Sequence, residues 1–122
     1  MKRVLDVGQC QMDHSTIRRL IEDGFEAEVV QAHSATDALT QLRAGPFDLV
    51  LINRKLDADY SDGVEIIRQM KADAQLESLP VMLVSNYPES QQQAVALGAE
   101  PGFGKAECRE AKTRERLARF LE

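Results

Sequence analysis

Apolar positions in this chain fall into short unbroken runs separated by stripes at helical spacing. The densest run is Leu49-Val50-Leu51-Ile52, opened by Gly45-Pro46 and closed by Asn53. Four consecutive aliphatic residues suit a strand buried on both faces, as in the middle of a parallel sheet. Val81-Met82-Leu83-Val84 repeats the pattern, opened by Leu79-Pro80 and ended by Ser85. Val4-Leu5-Asp6-Val7 reads as a first strand with a carboxylate at its centre. Ala27-Glu28-Val29-Val30-Gln31-Ala32 is a weaker strand and belongs near an edge. Glu100-Pro101-Gly102-Phe103-Gly104 makes a short fifth strand, weakened by one proline and two glycines.

Helical stripes fill the intervals. Ile17, Leu20 and Ile21 face inward on a first helix, capped by Asp13 or Ser15 and ended by Asp23-Gly24. Ala35, Ala38, Leu39 and Leu42 form the second, where Ser34 and Asp37 resemble a capping box. Val64, Ile67 and Met70, with Ile66 beside them, form the third, with Asp62 as its cap. Pro88 fits the first turn of a fourth helix, whose Ala94, Val95 and Leu97 turn inward. From Glu107 a last helix runs to about Leu121, with Leu117, Phe120 and Leu121 as its stripe and Ala111 and Ala118 beside them. Strand and helix thus alternate five times. That order implies a parallel sheet covered by helices on both faces, since each parallel return needs a right-handed crossover.

Composition narrows the function classes. The chain of 122 residues suits one domain, residues 1–122, with one core. A net charge of −5 and the lack of a basic cluster argue against a nucleic-acid surface. No apolar run is long enough to span a bilayer or to act as a signal peptide, so a cytoplasmic protein is expected. Cys10 and Cys108 have neither metal-ligand nor redox spacing and read as two reduced thiols. His14 and His33 are isolated, which makes surface or loop positions the default. Asp6 needs a partner or a less buried strand. Asp57, Asp59 and Asp62 fail as a calcium loop, because the glycine is misplaced and position twelve is Arg68. Arg109, Lys112, Arg114, Arg116 and Arg119, interleaved with Glu107, Glu110 and Glu115, read as a solvated helix face.

Taken together, Phe47 to Asn53, Asp62-Gly63 before the third helix, Pro80 to Ser85, and Leu97-Gly98-Ala99 followed by Lys105 resemble the response-regulator receiver domain of bacterial two-component signalling. The resemblance covers essentially the whole chain. It implies a flavodoxin-like (βα)5 sandwich with strand order 2-1-3-4-5. It also implies a pocket at the carboxyl ends of the strands, where the family places two acids for Mg²⁺, a phospho-accepting Asp, a Ser or Thr and a Lys.

Residue by residue, the chemistry departs from that pattern. The metal-acid positions fall on Gly8 and Gln9, and the acceptor position falls on Asn53. Ser85 and Lys105 are retained. The aromatic switch position falls on Gly102, with Phe103 one place later and Tyr87 available to fill the space. An amide is a poor nucleophile, and Mg²⁺ is usually held by carboxylates. The resemblance therefore implies a pseudo-receiver with no metal, no cofactor and no enzymatic role, in which Lys105 enters the pocket and bonds Asn53 or Ser85. Ser85 has no base beside it and reads as a satisfied hydroxyl.

Three functions compete. The first is a phosphorylation-independent signalling module that binds a protein partner, either an effector domain or another signalling protein. A homodimer through the fourth helix, fifth strand and fifth helix belongs to this reading, with no contact to nucleic acid or membrane. The second is a receiver phosphorylated at another acid, Asp57 or Asp59. The third is a small flavodoxin-like ligand-binding protein, disfavoured by the lack of a glycine-rich phosphate loop.

Overall fold

A computed structural model describes residues 1–122. The chain runs β1 (Lys2–Val7), α1 (Gln11–Gly24), β2 (Ala27–Ala32), α2 (Ala35–Ala44), β3 (Leu49–Asn53), α3 (Gly63–Lys71), β4 (Val81–Val84), α4 (Pro88–Ala96), β5 (Glu100–Phe103), a 3-10 turn (Lys105–Glu107) and α5 (Ala111–Leu121). All strands are parallel, in the order β2-β1-β3-β4-β5. The flavodoxin-like architecture is the one the alternation and the resemblance imply.

Strand alternation divides the core into two layers. Leu5, Val7, Val50, Ile52, Val81 and Leu83 face α2, α3 and α4. Val4, Leu49, Leu51, Met82, Val84 and Phe103 face α1 and α5. Each buried aliphatic side chain contributes roughly 1.5–3 kcal/mol, so β3, buried throughout Leu49–Ile52, anchors both layers. By the same alternation Asp6 and Asn53 belong to the α1–α5 side, since Asp6 is in register with Leu51 and follows Val4 by two.

Several local expectations change. Helix α1 begins at Gln11, so Asp13 lies inside its first turn, and Cys10 at the N-cap gives no side-chain hydrogen bond. Ser34 caps α2 by accepting from the Asp37 N–H, while Asp37 accepts from His33 N–H, one residue short of the reciprocal box. Asp62 occupies the cap position of α3 but turns its carboxylate to Lys55 at 2.7 Å. The last helix starts at Ala111, because the 3-10 turn interrupts it, and Thr113 is buried in its first turn, donating to the Glu107 carbonyl. On α4, Ala94 is buried and Leu97 packs on the core, but Val95 points outward.

Candidate functional site

The carboxyl ends of β1, β3, β4 and β5 converge on one edge of the sheet, where Gly8, Asn53, Ser85 and Lys105 are found. Gly8 has φ +78°, and a Cβ there would run into the buried Leu56 side chain. The chain after β3 folds back onto it, and Asp57 N–H donates to the Gly8 carbonyl at 2.9 Å. Asn53 Nδ2 donates to that same carbonyl at 3.1 Å and to the Lys55 carbonyl at 2.7 Å. Both neighbours are acceptors, so the atom facing them must be the amide nitrogen. A carboxylate at this position would set its oxygens against two carbonyl oxygens.

Gln9 is also at this edge and its side chain is buried. Its amide lies beside Asp6, close enough to lower that carboxyl, yet it makes no hydrogen bond within the protein. Ser85 is buried and its Oγ accepts from Tyr87 N–H at 3.1 Å, the satisfied hydroxyl the sequence suggests. Lys105 does not bond Asn53 or Ser85. Its Nζ meets Asp13 Oδ2 at 2.8 Å, on the first turn of α1. The hydrogen bond from Lys105 holds the Asp13 carboxyl below its ordinary range, against a smaller opposing effect of burial. Sequence reasoning missed this partner. Asp13 is 92 positions from Lys105, and nothing in local spacing announces the contact.

Asp6 acquires the donor that its sequence position demanded. It is fully buried, and His14 Nδ1–H donates to its Oδ2 at 2.8 Å. His14 is buried too, which overturns its expected surface placement. A signal for this was present: His14 precedes Ile17 by three and Ile21 by seven, so it lies on the inward stripe of α1. Burial pushes the Asp6 carboxyl up, and the His14 hydrogen bond and charge pull it part of the way back.

The residues present do not fit a divalent cation at this edge. Gly8 and Gln9 offer no anionic oxygen, and Asn53 turns its N–H groups, not its oxygen, to the neighbouring carbonyls. The two nearby carboxylates, Asp6 and Asp13, are engaged by His14 and Lys105. No three acidic, His or Cys side chains converge anywhere in the molecule. In the following loop Asp57 and Asp59 are exposed, and Asp59 Oδ1 accepts from the backbone and hydroxyl of Ser61. Tyr87 does not fill the space beside Gly102. It is 55% exposed and stacks on the Arg54 guanidinium, 4.9 Å from the ring centre. The space is taken by Gln91, whose amide reaches Gly102 N–H at 3.1 Å.

Comparisons with known proteins agree with this architecture. A family model described as the response regulator receiver domain matches residues 11–111. The chain is 32% identical to the chemotaxis protein CheY of Pseudomonas aeruginosa over 78 residues, 60% of this chain and 60% of that protein. It is 26% identical over 95 residues to chemotaxis protein CheY-3 of Vibrio cholerae, 74% of this chain and 69% of that one. Among solved structures, a sensor protein from Polaromonas sp. JS666 superimposes with a TM-score of 0.84 at 22% identity, covering 98% of this chain and 94% of that chain. Vibrio cholerae chemotaxis protein CheY4 gives 0.78 at 21% identity, with 99% of each chain covered. At such identities the two structures speak for the fold alone. No helix is long and apolar enough to cross a membrane.

Proposed function

This chain belongs to the response regulator receiver domain family, and we propose that within it the chain is a pseudo-receiver, signalling by protein contact without phosphoryl transfer. The observation that carries this reading is the pair of hydrogen bonds from Asn53 Nδ2 to the carbonyls of Gly8 and Lys55. The position that would supply a nucleophile is built as a donor. Its amide ties the ends of β1 and β3 together. Lys105, the one cation retained in the pocket, has its charge met by Asp13. A phosphoryl group arriving here would find no carboxylate to attack it and no acid-held metal to neutralise its oxygens.

On this reading residues 1–122 act as one cytoplasmic receiver unit, neither enzyme nor nucleic-acid reader. It uses the surface of α4, β5 and α5 to bind an effector domain, another signalling protein or a second copy of itself. Val95 is 43% exposed there, and Pro88 and Pro101 stand beside it on the same groove.

Incubation with acetyl phosphate followed by intact-mass measurement tests the proposal. The mass should stay unchanged. A covalent phosphoryl adduct on any residue, Asp57 and Asp59 included, overturns it. Titration with Mg²⁺ and beryllofluoride should likewise leave the backbone resonances of Gly8, Asn53 and Lys105 in place.

A further inference from the structure

The β4–β5 ladder is interrupted close to this edge. Met82 pairs with Glu100 and Val84 with Phe103, so β5 carries one residue more than β4 between the two pairs. Gly102 falls in that interval, packed so closely that a Cβ would overlap the Leu83 carbonyl oxygen. Backbone donors and acceptors at such a break need other partners. One side chain from α4 supplies them. Gln91 Nε2 donates to the Leu83 carbonyl at 2.9 Å and to the Ser85 carbonyl at 3.1 Å, while its Oε1 accepts from Gly102 N–H at 3.1 Å. A carboxamide holds donors and an acceptor in one plane, as a peptide group does. Gln91 thus completes the sheet as an inserted peptide would. From the other side Arg116 of α5 donates to the Gly102 carbonyl. The single residue Gly102 is therefore bonded to both helices that flank β5.

We propose that Gln91 is a positioning residue that locks α4 and β5 in one arrangement, so that its amide, and no event at Asn53, Ser85 or Lys105, sets the α4–β5–α5 surface. This rests on the phosphorylation-independent reading and adds what takes the place of the switch. The carbonyl of Ser85 is one of the three groups the amide grips, so the end of β4 is tied into the same bracket. Movement of α4 away from the sheet would expose Leu83, Ser85 and Gly102 backbone groups together, which makes the bracket cooperative.

Amide exchange measured by NMR on the full chain tests the proposal. In the wild type Gly102 N–H should be protected. Gln91→Leu keeps the bulk and removes all polar contacts, so the protection of Gly102 should fall roughly tenfold, the equivalent of about one hydrogen bond. Gln91→Glu keeps the acceptor for Gly102 but sets a carboxylate against two carbonyl oxygens. Acidification makes it a carboxylic acid and restores one donor, so protection should recover at low pH in Gln91→Glu and not in Gln91→Leu. Equal Gly102 protection in wild type and Gln91→Leu overturns the proposal. So does a Gln91→Glu variant that tracks Gln91→Leu at every pH. Adding Mg²⁺ and beryllofluoride to the wild type separates the two readings. Shifts confined to Asn53 and its neighbours defeat the phosphorylation-independent reading and leave the bracket standing, whereas a change in Gly102 protection defeats the bracket itself.

Discussion

Asp6–His14 and Asp13–Lys105 are both carboxyl–nitrogen contacts of 2.8 Å, and both tie α1 to the rest of the fold. They differ in burial. The side chains of the first pair are 0% and 7% exposed, those of the second 31% and 35%. In the buried pair each group exists to satisfy the other, because neither has bulk water as an alternative partner. In the part-exposed pair each ion keeps some of its hydration, so the contact adds less stability than its length suggests. Its importance is positional, since it fixes where the charge of the retained lysine sits at this edge. Distance alone therefore ranks neither contact. Solvation decides which one the fold depends on and which one the site depends on.

The sharpest way to break that comparison is to remove one partner of the buried pair. His14→Ala should cost about 3 kcal/mol in urea unfolding, because Asp6 is left buried without its donor. Replacing both members with apolar residues should restore much of the loss. A single substitution costing less than about 1 kcal/mol would place Asp6 in contact with water. The pH profile sharpens the same point. The folded Asp6 carboxyl titrates above its ordinary value of 3.8, with burial the dominant cause. The folded state therefore holds the proton to higher pH than the unfolded chain. Wild-type stability relative to Asp6→Asn should rise as pH falls from that raised value to about 3.8, then level off. The part-exposed pair has the opposite sign: Asp13 is held below its ordinary value, so its contribution is lost as pH falls below 3.8.

A smaller effect is expected at Asn53. Asn53→Asp places a carboxylate against the carbonyls of Gly8 and Lys55 and should destabilise by about 1–2 kcal/mol at neutral pH. It should also remain unphosphorylated by acetyl phosphate, since Gly8 and Gln9 still supply no acid. A stable, phosphorylated Asn53→Asp would show that the pocket had lost only its nucleophile. Smallest of all, Lys105→Ala should change stability by less than about 1 kcal/mol, with even that screened by salt.

The layout of the fold was legible because strand runs and helix stripes are local patterns. Leu49–Ile52 and Val81–Val84 announce central strands, and the β-α alternation leaves few topologies. The ends of elements were less legible. Asp13 and Asp62 are good cap residues by type, but each found a lysine instead. The site was half visible. Gly8, Asn53, Ser85 and Lys105 do lie at one edge, but their partners are set by contacts that spacing does not encode. Asp13 meets Lys105 across almost the whole chain. Gln91 reads as an ordinary polar helix position, and only the bulge beside Gly102 gives its amide a purpose. Asp6 advertised a missing donor, and His14 on the apolar stripe was the candidate to weigh.

The backbone at Gly8 has a consequence for the history open to this protein. An aspartate there is one nucleotide away from a glycine codon, so reversion looks cheap on paper. Yet any side chain at that position must adopt φ +78° and displace Leu56, whose Cα alone lies 3.0 Å from where the new Cβ would sit. An acid fits here only if the loop around Leu56 moves. An acidic side chain at this position is therefore barred by the backbone and by Leu56 together, and not by the choice of residue alone.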